Sequence, residues 1–295
     1  MQHTLVRSMR LPFLVLTPVS IFLGYATATV NSLSIPHGEL FLVLVGALLA
    51  HISVNMFNEY HDFRSGLDAK TVKTPFSGGS GALVQDPDAA KAVLYGAIAS
   101  LLVTVCIGAY FLFTQGLLIL PLGIVGVLIV LTYTQWLNQH PILCLIAPGI
   151  GFGPLIVLGT HVVLTGEYSA QAGIVSLVPF FLTNNLLLLN QYPDIAADRS
   201  VGRRHFPIVY GERKGIVLYG NTVMASCGVI VLGILTGIFP ELSIVCLFPM
   251  GFAVMIFFGI ARHGTALSRL LPYLGMNVGV TIVTSVFLGL SIIYG

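Results

Sequence analysis

Two stretches of this chain carry amides and carboxylates at helical spacing. In the first, Asn55, Asn58 and Asp62 fall at i, i+3 and i+7, so a helix running through them puts all three on one face. In the second, Asn190, Asp194 and Asp198 fall at i, i+4 and i+8, a little under half the chain later. Each stretch ends a long apolar run, one beginning near Phe41 and the other covering residues 180–189. Carboxylates and amides converging from two helix ends suit a hard divalent cation, above all Mg²⁺ held jointly with substrate phosphates. The candidate metal set is Asp62, Asp68, Asp194 and Asp198 with Asn58, and Asn190 joins it as a candidate catalytic residue. Lys70, Lys73, Arg203 and Arg204 lie close by in sequence and would neutralise remaining phosphate charge. Asn55 and Tyr133 are further candidates for substrate contact. A lipid tail on such a diphosphate would lie in the apolar interior, so the implied substrate is an isoprenyl diphosphate. Its allylic carbon becomes cation-like as the diphosphate leaves, and an electron-rich acceptor attacks it.

The elements that must position these residues are membrane helices. Hydrophobic residues make up 56% of the chain and charged residues 8%, with a mean hydropathy of +0.95. A soluble domain carries about 25% charged residues, so the expectation is an all-α polytopic membrane protein embedded in a lipid bilayer. The net charge of +2 gives no basis for nucleic acid as a partner. Cys106, Cys144, Cys227 and Cys246 are scattered through apolar segments without metal-ligand spacing. They read as small buried hydrophobes away from the motifs, so no covalent prenyl-enzyme is expected.

Nine apolar runs can be counted. The first, at 11–30, follows Arg7 and Arg10 and contains Pro12 and Pro18, which would start or kink it. The run at 141–164 is rich in glycine and proline, suited to close packing or to a broken helix lining a cavity. With the N-terminus inside, all 13 Lys and Arg fall on the cytoplasmic side and the outer turns keep only acids such as Glu39, Glu167 and Glu241. Nine transmembrane helices around a central cavity, with cytoplasmic capping loops, are therefore expected in the inner (plasma) membrane. Both motifs would open to the cytoplasm. A single domain over 1–295 is expected, with two pseudo-repeated halves at about 11–135 and 141–260 and a last helix at 270–293.

The motifs resemble those of the UbiA superfamily of intramembrane prenyltransferases, and within it the menaquinone-type 1,4-dihydroxy-2-naphthoate polyprenyltransferases. The matching pieces are Asn58-Glu59-Tyr60-His61-Asp62 with Gly66 and Asp68, the Tyr133-Thr134 pair, Gly153-Pro154, Thr165-Gly166, and Asn190 through Asp194 and Asp198 to Gly202-Arg203-Arg204. The resemblance is strongest over 50–215. It implies two Mg²⁺, an all-helical horseshoe around a central cavity, a polyprenyl diphosphate donor and an aromatic acceptor. Candidate acceptors are dihydroxynaphthoate first, then 4-hydroxybenzoate, homogentisate-like phenols or a glycerophosphate lipid precursor. Two departures stand out. Glu59 occupies a position where many members have Asp, and His205-Phe206-Pro207 replaces the Thr-Leu that often follows the second motif.

Plainer readings compete at several positions. A secondary transporter would also carry intramembrane polar groups, but at the midplane rather than at one face. His51 and His61 read as local hydrogen-bonders. Asp86 and Asp88 flank Pro87 and read as a helix cap. The glycine-rich stretch 77–81 lacks the nucleotide P-loop pattern and reads as a flexible lid.

Overall fold

The computed structural model describes residues 1–31, 34–263 and 266–295. No strand occurs among them. A short helix α1 (Gln2–Ser8) and a 3-10 turn (Leu11–Val15) lead into α2 (Leu16–Asn31). Next come α3 (His37–Arg64), the short α4 (Ala82–Gln85), α5 (Ala90–Gln115) and α6 (Leu120–Thr132). The glycine- and proline-rich run becomes α7 (Pro141–Ile150), a π-helical stretch (Gly151–Leu158) and α8 (Gly159–Thr165). The chain continues through α9 (Ala170–Asn190), α10 (Ile195–Ser200), α11 (Phe206–Tyr210), α12 (Glu212–Leu235), α13 (Leu247–His263) and α14 (Leu267–Tyr294).

Among the described residues, eight helical runs are long and apolar enough to cross a bilayer. One of them, Pro87–Thr132, spans 46 residues and is really two passes. A 3-10 turn at Gly116–Ile119, entered with Gly116 at φ 68°, folds α6 back against α5. Resolved this way, the described chain makes the nine passes read from the sequence. The protein is an integral membrane protein of all-helical architecture.

Helix α3 has 28 residues, about 42 Å at 1.5 Å per residue against a hydrocarbon core of about 30 Å. Its last turns must therefore stand beyond the hydrocarbon, and those turns carry Asn58 and Asp62. Helix α9, with 21 residues, about matches that core and presents Asn190 at its final residue.

Lipid is as apolar as a leucine side chain, so helices here gain little from hiding apolar surface and depend on close contact. The expected close packing of the fifth apolar run is present, with a wide helical turn rather than a break. A Cβ on Gly149 would come within 2.5 Å of the Phe180 carbonyl oxygen, and one on Gly153 within 2.5 Å of the Ser176 carbonyl oxygen. Backbone of this run thus touches backbone of α9, and Gly149 N–H donates to Asn184 Oδ1 at 2.8 Å. Helix α2 meets the same run, with Gly24 against the Val157 carbonyl. The largest core cluster joins α9, α12, α13 and α14, and a smaller one joins α3 and α5 to α1.

One local expectation changes. Asp86 makes no side-chain cap to the turn that follows it. Its Oδ2 accepts from Thr4 Oγ1 at 2.7 Å and pairs with the N-terminal ammonium at 3.0 Å, tying α1 to the head of α5.

The glycine contacts make a direct prediction. Gly149→Val should lower the unfolding temperature and the yield of monodisperse protein, because overpacking costs about 1–3 kcal/mol or more. Gly151→Ala, two residues on, meets nothing within 4 Å and should leave both unchanged. Equal unfolding temperatures for the two variants would show that this backbone contact does not hold the bundle.

Candidate active site

A cavity of about 870 Å³ opens between α3, α5, α6, the α7–α8 run and α9. Its lining on α3 runs from Leu42 to Asp62, about 30 Å of helix, or one hydrocarbon thickness. Most of the wall is aliphatic, with Phe111 and Phe152 among the larger groups. Polar groups gather at the Asp62 end, so the cavity is an apolar channel with a charged head.

Both motifs contribute to that head. Asn55, Asn58, Asp62 and Asp68 line it from the first, and Asn190, Asp194, Asp198 and Arg203 from the second. Arg203 joins the two halves: its guanidinium pairs with Asp62 Oδ1 and, at 3.0 Å, with Asp198 Oδ1. His205 Nε2 bonds to the other oxygen of Asp198 at 2.7 Å. Asn58 Oδ1 accepts from Thr134 Oγ1 at 3.3 Å. Asn55 donates to the Met9 carbonyl at 3.0 Å, so it anchors the N-terminal segment as well as facing the cavity. Tyr133 is on the wall beside Thr134 and Asn138.

Glu59 does a different job. It is fully buried and absent from the cavity wall. Its carboxylate accepts from Arg10 Nη2 at 2.6 Å, from Ser80 N–H at 2.7 Å and from Ser80 Oγ at 2.6 Å. Arg10 itself sits at φ 53°, the one non-glycine residue with positive φ among those described, a conformation that persists only where its surroundings enforce it. The departure to Glu at position 59 thus builds the cap. The stretch 77–81 is pinned at both ends, because Gly78 N–H also donates to Asp194 Oδ2 at 3.0 Å. Gly78, Gly79 and Gly81 all have positive φ, and a Cβ on Gly79 would come within 2.5 Å of Asp68 Oδ1. Only glycine lets this backbone lie on the acids.

Lys70, Lys73 and Arg204 are not on the wall. Lys70 is exposed and bonds to Ser200 Oγ at 3.3 Å. Lys73 is exposed and lies over Gly81, and the Arg204 side chain is exposed at the rim. In the other direction, Cys144 is not remote from the motifs. It is buried on the cavity wall, where Gln191 Nε2 donates to its Sγ at 3.7 Å. The start of α7 folds under the second motif, which spacing along the chain does not disclose. Arg10, Gln191 and His205 are site residues that motif spacing did not single out. Gln191 had a signal, being inside the second motif, whereas Arg10 looked like a topology charge. His51 and His61 are local hydrogen-bonders, to Thr17 and Gln135.

Two of the acids are only partly satisfied. Asp68 Oδ2 and Asp194 Oδ1 are buried with no hydrogen-bond partner. Burial pushes the Asp68 carboxyl up to about 7, with the charges of Glu59 and Asp62 adding to the shift. Burial and the Asp198 charge push Asp194 up to about 7 as well. Among the described residues, no three acidic, histidine or cysteine side chains stand close enough to hold a metal by themselves. Oxygen donors distributed around a gap fit Mg²⁺, which keeps several ligands from water or phosphate.

Both folded-state values lie above the ordinary carboxylate value of about 4. The folded, metal-free protein therefore keeps protons that the unfolded chain releases. The stability from these groups is fully present below about pH 4 and is lost as pH rises through about 7. Thermal unfolding without metal should show a midpoint lower at pH 8 than at pH 5.5, and Asp68→Asn should flatten the difference. A midpoint that climbs over this range, or a slope indifferent to Asp68→Asn, would contradict this electrostatic picture.

Comparisons with known proteins bear on the fold and the family. A B. subtilis (strain 168) protein, 1,4-dihydroxy-2-naphthoate octaprenyltransferase, is 29% identical over 183 residues, covering 60% of this chain and 56% of the relative. The match thus spans a little over half of that relative's length. A UbiA homologue from Archaeoglobus fulgidus, solved bound to GPP and Mg²⁺, superposes with a TM-score of 0.67 at 14% identity, covering 99% of this chain and 100% of that one. A UbiA homologue from Aeropyrum pernix K1, solved without ligand, gives 0.67 at 18% identity over 92% of this chain and 96% of that one. At such identities the likeness is one of fold. The UbiA prenyltransferase family model matches residues 15–292, nearly the whole chain, and the protein belongs to that family.

Proposed function

We propose that this protein transfers an isoprenyl chain from a polyprenyl diphosphate to an aromatic acceptor, with 1,4-dihydroxy-2-naphthoate the leading acceptor and Mg²⁺ required. The observation that carries the reading is the pair of partnerless carboxylate oxygens, on Asp68 and Asp194, at the charged head of a bilayer-long apolar cavity. The octaprenyltransferase relative supports the acceptor, and the A. fulgidus homologue bound to GPP and Mg²⁺ supports donor and metal.

In this reading Asp62, Asp68, Asp194 and Asp198, with Asn58, hold Mg²⁺, and Asn190 lies beside them. Bound there, Mg²⁺ neutralises diphosphate charge and stabilises the charge that grows as the diphosphate departs. Arg203 now bridges Asp62 and Asp198; freed from one of them, it faces the same phosphate oxygens. Arg10 adds a second cation at the wall. Lys70, Lys73 and Arg204, being exposed at the rim, guide the anionic head inward. The prenyl chain runs down the apolar channel, whose walls keep water from trapping the allylic cation. The acceptor's aromatic carbon attacks that cation, with Asn55 and Tyr133 on the wall beside it, and the ring regains aromaticity by losing its carboxylate as CO2 when the acceptor is dihydroxynaphthoate, or a proton from an unsubstituted carbon. With the basic residues inside, the active site faces the cytoplasm from the inner membrane.

Asp62→Ala, Asp194→Ala and Asp198→Ala should each lower kcat/KM by about 10²–10³-fold or more, and EDTA should abolish transfer of radiolabelled prenyl groups. Full turnover in excess EDTA would sink the metal requirement. Thiol labelling of Ser200→Cys should report the cytoplasmic side and of Ser169→Cys the outer side. An external Ser200 would overturn the topology.

A further inference from the structure

Two polar side chains on the cavity wall are held in place yet left half-used. Gln191 is 7% exposed and His205 is 3% exposed, and both line the cavity. Gln191 turns its Nε2 to Cys144 Sγ at 3.7 Å, which leaves Oε1 buried and without a partner. His205 turns Nε2 to Asp198 Oδ2 at 2.7 Å and leaves Nδ1 buried and without a partner. A carboxylate only accepts, so the ring donates from Nε2 to Asp198, and Nδ1 is the ring nitrogen left for a partner from the cavity. Two buried polar atoms, an amide oxygen and an imidazole nitrogen, therefore face the cavity, and each carries a desolvation cost that a polar partner relieves.

The chemistry of the missing partner follows. A diphosphate at neutral pH is rich in acceptors, and a prenyl chain has no polar hydrogen. Mg²⁺ prefers oxygen to imidazole nitrogen. The component of the proposed reaction that can both donate and accept, and so match the amide oxygen and the ring nitrogen alike, is a hydroxylated aromatic acceptor. We infer that His205 Nδ1 and Gln191 Oε1 form the subsite that receives the acceptor's hydroxyl groups and so select a hydroxylated ring. This rests on the prenyltransferase reading above and adds the residues that distinguish one acceptor from another. The same segment would then serve both substrates. Asp194 and Asp198 face the donor, Gln191 and His205 face the acceptor, and Asp198 fixes the imidazole that orients the second substrate.

The test uses the full-length protein in nanodiscs with Mg²⁺ and a prenyl diphosphate. The acceptors are 1,4-dihydroxy-2-naphthoate and its two mono-O-methyl ethers. Wild type should prefer the free diol over at least one ether by about 10²-fold or more in kcat/KM, since a site built to bond a hydroxyl rejects the analogue lacking it. His205→Leu and Gln191→Leu should each raise the KM for the diol at least about tenfold. Each should also shrink the discrimination against one ether to under about threefold, with the KM for prenyl diphosphate within about twofold of wild type. A merely structural role would lower transfer to diol and ether in parallel and leave the ratio intact, and that result overturns the inference. So does a rise in the KM for prenyl diphosphate in place of the acceptor, or a wild type indifferent to methylation, as when water alone satisfies the two atoms. A wild type that transfers to no aromatic acceptor overturns the function and this inference together, whereas active wild type with an unchanged ratio in both variants overturns the inference alone.

Discussion

Putting carboxylates where a membrane helix ends is costly, and the Arg203 bridge between Asp62 and Asp198 is how this bundle manages it. A buried acid in low dielectric is tolerable when paired, and breaking such a pair leaves an uncompensated charge. One guanidinium on the second motif reaches a carboxylate on each motif. It therefore neutralises the two acids and fixes the distance between α3 and the segment after α9. The cavity between them keeps its polar head because that link holds the ends of its walls together.

The second ion pair does comparable work on the cap. Glu59 is taken out of the cavity by Arg10 and Ser80, which draws the N-terminal segment and the glycine-rich stretch onto the end of α3. The cap then rests on Asp194 through Gly78. Both motifs are thereby joined twice, once inside the cavity and once over its mouth. Two acids are left only partly used, Asp68 and Asp194, and a cation brought by the donor substrate would complete them. Asp194 holds the cap with one oxygen, through Gly78, and keeps the other unpartnered toward the cavity.

The apolar part of the site depends on a different constraint. In lipid, helices are held by close contact rather than by hiding surface from water. Gly24, Gly149 and Gly153 let α2, the π-helical run and α9 touch through backbone. With that side of the bundle tight, the remaining space falls on the other side, along α3, α5 and α6, and extends through one hydrocarbon thickness. The fold thus places a chain-length slot directly below the charged head.

Much of this was legible in the residues. Composition and nine apolar runs determine a membrane bundle, because lipid leaves a backbone few other choices. The spacing of Asn58 and Asp62, and of Asn190, Asp194 and Asp198, determines matching polar helix ends, because 3.6 residues per turn sets the face whatever the neighbours are. Tertiary structure alone decided which charges face inward. Arg203 and Arg204 are adjacent and chemically identical, yet one bridges two acids and the other is exposed. Glu59 and Asp62 share a helix end, yet one serves the cap and the other the cavity. Cys144, Gln191 and His205 meet only because α7 folds beneath the second motif. Such choices rest on which distant backbone arrives beside a side chain, and a periodicity that depends on near neighbours carries no record of it.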